Sequence, residues 1–130
     1  MVNRDRVKVG IIGAGFIGHL HAEAFTHVPN AEVVAIASPS AERGQALTGQ
    51  FGIPRHVTDY REMLAMDGLD MVTVGVPNDL HAQVCIDAAR AGKHVVCEKP
   101  LCLTLADADA VVAAGLEAGV KMMYAEELLF

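Results

Sequence analysis

At 130 residues, 52% apolar and 20% charged, the chain has enough apolar material for one cored domain and too little charge for a disordered one. A net charge of −6 and a pI near 5.4 argue against a nucleic-acid surface, so any bound phosphate must be held by local donors. No apolar stretch approaches a membrane span, and the opening Met-Val-Asn-Arg-Asp-Arg lacks a signal peptide's apolar core.

Val7 to Ile12 reads as a buried strand. Gly13, Ala14, Gly15, Phe16, Ile17 and Gly18 follow and fit G-x-G-x-x-G. Apolar residues at Ile17, Leu20, His21, Ala24, Phe25 and Val28 then recur at helical spacing. Strand, glycine turn and helix form the setting in which this fingerprint means dinucleotide binding; a bare strand–helix turn is the alternative. Gly13 permits the tight turn, Gly15 lets a pyrophosphate approach the backbone, and Gly18 lets the helix lie close on the strand. The helix start, with its free N–H groups, favours phosphate.

Glu32 to Ala37 is the second strand. Ser40 caps a helix ending near Gly52. Arg55 to Thr58 makes a short third strand, and Asp59 caps a helix through about Ala65. Asp70 to Val76 is the fourth strand; Asn78 or Asp79 starts a helix ending at Gly92. Lys93 to Cys97 is the fifth strand. Thr104 and Asp107 form a capping box for a helix closed by Gly119, with Leu105, Ala108, Val112 and Leu116 on one face. Val120 to Tyr124 is the sixth strand. This alternation implies an α/β doubly wound, mostly parallel six-stranded sheet covered on both faces, in Rossmann order 3-2-1-4-5-6.

Ser38 stands where NAD sites usually carry an acid for the adenosine ribose. A carboxylate repels the 2′-phosphate of NADP, while serine can donate to it. Ser40 adds a second hydroxyl and Arg43 a planar guanidinium. NADP is therefore preferred, with NAD still tolerated; Ser40 as a bare cap and Arg43 as a solvated charge is the alternative. Pro77 stops the fourth strand, Asn78 can cap the next helix, and His81 is expected to face the nucleotide cleft. Glu98, Lys99 and Pro100 follow the fifth strand at the edge where the nicotinamide should lie. Lys99 can exchange a proton with a carbonyl or alcohol oxygen, or polarise it. Pro100 can be cis.

Cys85, Cys97 and Cys102 are odd in number and form no C-x-x-C, which disfavours a disulfide scaffold or zinc site and fits a reducing cytoplasm. His19 and His21 point to different helix faces, so no metal site is expected.

Taken in order, Gly13 to His21, Pro77 to His81 and Glu98-Lys99-Pro100 resemble the Gfo/Idh/MocA oxidoreductase family over essentially the whole chain. The resemblance implies an N-terminal NAD(P)-binding Rossmann domain. It implies Lys99 as the catalytic or substrate-orienting lysine, Pro100 placing the nicotinamide, and Asn78 and His81 lining the cofactor cleft. Ser38 to Arg43 looks like NADP-preferring members such as 1,5-anhydrofructose reductase. Family members carry a second α/β domain that supplies most of the substrate pocket, and nothing here corresponds to it. Residues 1–124 are thus expected to be the dinucleotide-binding domain and 125–130 the start of a connection to an absent substrate domain. The implied function is hydride transfer between nicotinamide and a sugar or polyol alcohol or carbonyl, with the chain inactive alone. A non-catalytic NAD(P) sensor or scaffold is the alternative. Homodimerisation is expected through surface left bare near Met122, Met123, Leu128, Leu129 and Phe130.

Overall fold

The computed structural model describes residues 6–126. Its strands are β1 (Val7–Ile12), β2 (Ala31–Ala37), β3 (His56–Val57), β4 (Met71–Val74), β5 (His94–Glu98) and β6 (Met122–Ala125). Its helices are α1 (Phe16–Phe25), α2 (Ala41–Phe51), α3 (Tyr60–Leu64), α4 (His81–Arg90) and α5 (Leu105–Ala118). All neighbouring strands pair in parallel, in the order β3-β2-β1-β4-β5-β6. The expected α/β Rossmann architecture is the observed one.

Alternation along the strands builds two cores. Ile11 and Ile36 face α1 and α2, where they meet Ala22 and Leu47. Ile12, Ala35, Ala37, Val72, Val74, Val95 and Cys97 face the other way, towards Met63 of α3, Val84 and Cys85 of α4 and Val111 of α5. Central strands buried on both faces read as continuous apolar runs, which is how β1 and β4 appear in the sequence.

Helix ends follow local chemistry. Ser40, Asp59 and Thr104 accept from the N–H groups of Arg43, Arg61 and Asp107. Gly52 and Gly119 close α2 and α5 in the left-handed conformation, with φ of 65° and 67°. Asn78, by contrast, caps nothing. Residues Asn78–Leu80 form one 3-10 turn entered from Pro77, and α4 begins at His81.

Two helix faces differ from expectation. In α1 the buried positions are Gly18 and Ala22, while Leu20 and Val28 are exposed and Val28 lies beyond the helix. In α5 the buried positions are Val111, Ala114 and Gly115, while Leu105, Val112 and Leu116 are exposed. Both helices approach through their smallest residues. A Cβ on Gly18 would strike the Gly13 carbonyl, and one on Gly115 would strike the Met122 thioether. Met122 is therefore occupied, and Met123 is the exposed methionine of β6. Leu128, Leu129 and Phe130 lie outside the described residues.

Cover over the α1 face thins towards β6. One row across the sheet runs Ile36, Ile11, Thr73, Val96, Met123. Ile11 and Thr73 are buried and Val96 is half-buried, whereas Met123 is 64% exposed.

Candidate dinucleotide and catalytic site

A cleft of about 900 Å³ opens along the carboxyl ends of β1, β2, β3 and β4. Strand carboxyl ends at the point where the order reverses are where such sheets bind ligands. Gly13, Gly15, Phe16 and Ile17 line it at the centre, Ser38, Ser40 and Arg43 on one flank, and Val76 and Pro77 on the other.

The glycine loop is shaped by close approaches. Gly13 has φ of +110°, and a Cβ there would lie 2.5 Å from the Gly75 carbonyl oxygen. Only glycine meets both demands. Gly15 is different: its φ of −84° suits any residue, and a Cβ would meet no protein atom within 4 Å. The space over Gly15 is open. α1 starts on Gly15 without a side-chain cap, unlike α2, α3 and α5, and carries no acid in its first turn. Backbone donors facing open space, with no competing carboxylate, fit a pyrophosphate.

At the end of β2 the hydroxyls form a ladder. The Ser40 N–H donates to Ser38 Oγ at 3.2 Å, and the Arg43 N–H donates to Ser40 Oγ at 3.3 Å. Each serine oxygen is thereby oriented as an acceptor, which leaves its own proton to donate outward. His56 secures the ladder from below. Its Nε2–H donates to the Ser38 carbonyl at 3.0 Å.

Thr58, Asp59, Tyr60 and Arg61 also line the cleft, and sequence reasoning did not place them there. The sequence signal was that they follow a strand, and every parallel strand here ends at the same edge. Arg61 lies over the Tyr60 ring, 4.7 Å from its centroid, between the carboxylates of Asp59 and Asp87. The Tyr60 hydroxyl donates to Asp87 at 2.6 Å. Burial and that carboxylate push the Tyr60 pKa up to about 12.

Glu98, Lys99 and Pro100 leave β5 at the same edge, and the Lys99–Pro100 bond is cis. Glu98 is tied at both oxygens. His21 of α1 donates through Nε2 to Oε1 at 2.8 Å, and the Lys99 N–H donates to Oε2 at 3.3 Å. This pair, 77 residues apart in sequence, fastens the glycine-loop helix to the lysine segment. His21 Nδ1 is buried without a partner among the described residues. Lys99 is exposed. Asn78 is exposed on the 3-10 turn.

His81 does not face the cleft. Its side chain is 1% exposed, with Nδ1 2.6 Å from the Pro100 carbonyl and Nε2 2.9 Å from the Val76 carbonyl. Its position at the start of α4 turns the ring under the sheet edge. Cys97 lies beside it, and a hydrogen bond from Cys85 holds the Cys97 thiol below its usual pKa. Among the described residues no three His, Cys, Asp or Glu side chains are grouped to hold a metal ion. No helix there is long and apolar enough to cross a membrane.

Sequence comparison finds 1,5-anhydro-D-fructose reductase of Ensifer adhaerens, 43% identical over 113 residues, covering 87% of this chain and 34% of the relative. Among solved structures, levoglucosan dehydrogenase in complex with NADH and L-sorbose superposes with a TM-score of 0.88 at 31% identity, covering 93% of this chain and 35% of that one. A 3-ketoreductase from Actinomadura kijaniata, in complex with TDP-benzene and NADP, gives 0.86 at 36% identity, covering 92% and 37%. The chain thus spans about a third of the length of the relatives it matches. The family profile described as an oxidoreductase family, NAD-binding Rossmann fold, matches residues 7–126, and the chain belongs to that family, Gfo/Idh/MocA.

Proposed function

We propose that this chain is the cofactor half of an NADP-preferring oxidoreductase acting on an alcohol or carbonyl of a sugar or polyol. The observation that carries the cofactor preference is the Ser38–Ser40–Arg43 ladder, whose two hydroxyl protons and one guanidinium are left for a ligand. No carboxylate occupies the Ser38 position, so a 2′-phosphate meets donors and no like charge there. Bound cofactor supplies hydride chemistry. Gly13, Gly15 and the start of α1 hold its pyrophosphate, and Phe16, 76% exposed at the cleft mouth, covers it. Glu98 sets the backbone of Lys99, and Lys99 orients the substrate oxygen and exchanges its proton.

Alone, the chain binds cofactor with little or no turnover, because a catalytic unit short of its partners loses most of its rate. Its three free thiols fit a reducing, cytoplasmic setting. The exposed Met123 end of the sheet supports homodimerisation of the isolated chain.

Titration with NADPH and NADH tests the assignment. NADPH is expected to bind more tightly. Arg43→Ala should weaken it by about 10- to 100-fold, the worth of charge-assisted hydrogen bonds, and leave NADH nearly unchanged. Ser38→Asp should reverse the preference. Tighter NADH binding by the parent chain, with no effect of Arg43→Ala, refutes it.

A further inference from the structure

The cleft wall holds side chains that the phosphate loop, the serine ladder and Lys99 leave unused. Tyr60 and Arg61 at the start of α3, and Leu80 and Gln83 around the start of α4, all line it. α3 and α4 lie on the same face of the sheet, where Met63 and Val84 share one core. Strands β2 and β1 run between β3 and β4, so the two helix starts flank the carboxyl ends that lead into Ser38 and Gly13.

A network joins the two helices. Asp87 of α4 accepts from the Tyr60 hydroxyl on Oδ2 at 2.6 Å and from the Gln83 amide on Oδ1 at 2.8 Å. Arg61 lies over the Tyr60 ring and stands 3.6 Å from Asp87 Oδ2, too far for a hydrogen bond. Its guanidinium is thus a plane backed by Tyr60 and, at 62% exposed, largely open to the cleft. Leu80 adds an exposed apolar side chain. A cationic plane and an apolar surface suit a flat heteroaromatic base.

The Gln83 amide has one sense. A carboxylate accepts and does not donate, so the Gln83 nitrogen faces Asp87. Gln83 Oε1 is left as an acceptor with no protein donor on it among the described residues. Adenine carries an exocyclic amino donor where guanine and hypoxanthine carry a carbonyl acceptor. An oriented acceptor favours the amino base and sets lone pairs against the oxo base.

We propose that the slot between the starts of α3 and α4 takes the cofactor's purine, and that Gln83, its amide held in one sense by Asp87, selects an amino base over an oxo base. Asp87 is a positioning residue that acts through Gln83. The inference rests on the proposed dinucleotide function and adds base selection to it.

The test compares binding of NADPH with that of its deaminated analogue, in which hypoxanthine replaces adenine, and of NADH with deamino-NADH. Within each pair only the base substituent differs, so the ratio is independent of the 2′-phosphate. The amino form is expected to bind about 3- to 10-fold more tightly in both pairs, the worth of one hydrogen bond. Gln83 is exposed, so Gln83→Met should fold normally and bind the two forms equally. Asp87→Asn keeps an acceptor for Tyr60 and offers Gln83 a donor, which lets the amide turn over. The preference should then vanish or reverse with Gln83 itself intact. Equal binding of both forms by the parent chain overturns the proposal. An unchanged preference in folded Gln83→Met overturns the role of Gln83, and one in folded Asp87→Asn overturns the role of Asp87. Failure to bind any of these dinucleotides overturns the proposed function as well, whereas binding without base discrimination leaves that function standing and removes this inference alone.

Discussion

Gly44 connects helix packing to the cofactor site through one contact. It lies in α2 one turn after Ser40, and its N–H donates to the Ser40 carbonyl at 3.0 Å. A Cβ there would overlap the His56 ring. That ring donates to the Ser38 carbonyl. Gly44→Ala must therefore displace His56 and break the bond beneath Ser38. Overpacking a tight contact costs about 1–3 kcal/mol, and the lost hydrogen bond about 1 kcal/mol. Alanine's better helix propensity returns about 1 kcal/mol. The expected net destabilisation is about 1–3 kcal/mol, read as a lower urea midpoint with unchanged slope. NADPH affinity should fall as well, because Ser38 loses its support. The sharper expectation is a change of sign. With His56→Ala in place the overlap is gone, and Gly44→Ala should then stabilise by about 0.5–1 kcal/mol. If the two substitutions add independently, the contact does not limit this helix and the reasoning is refuted.

Gly15→Ala separates binding from folding. Its backbone conformation suits alanine and its Cβ meets nothing, so the urea midpoint should hold while NADPH binding is lost; loss of both would mean that Gly15 serves the fold. Tyr60 predicts a pH limit. Its pKa rises from about 10 unfolded to about 12 folded, so this stabilisation is complete below the unfolded value and is lost as pH rises through the folded one. Tyr60→Phe should flatten stability across that interval, and an unchanged profile refutes the assignment. Self-association through the β6 end should weaken in Met123→Glu; a parent chain that is monomeric by light scattering at high concentration removes the premise.

What the sequence disclosed depended on the range of the physics. Caps at Ser40, Asp59 and Thr104 act over two or three residues, and all three are observed. The glycine loop and the Ser38–Arg43 ladder are equally local. Helix faces were harder. Bulk hydrophobicity selected Leu20 in α1 and Leu105, Val112 and Leu116 in α5, yet the helices dock through Gly18, Ala22, Ala114 and Gly115. Small residues permit the closest approach, and an apolar count gives them the least weight. Long-range partners left no local trace. His21 and Glu98 meet across 77 residues, and His56 reaches Ser38 only because β3 pairs with β2. Thr58 to Arg61 enter the cleft for the same reason, carried by a strand of two residues with no motif of its own.

The two ends of the site are built to different degrees within this chain. At the dinucleotide end, the loop, the serine ladder and His56 are each fixed by bonds internal to the domain, under a face covered by α1 and α2. At the lysine end, that cover thins across Thr73 and Val96 to Met123. Lys99 is exposed there, and His21 Nδ1 is buried without a partner among the described residues. A buried ring nitrogen left unbonded costs about 1–3 kcal/mol, a cost that a substrate, a water or a further polypeptide segment beside Glu98 would remove. The relatives are about two and a half times as long as this chain. The asymmetry is what the proposed division of work expects, in which this domain would fix the cofactor and present Lys99 while groups outside it would complete the substrate site. Adding such a segment should raise turnover far more than cofactor affinity, because the cofactor's donors are already in place.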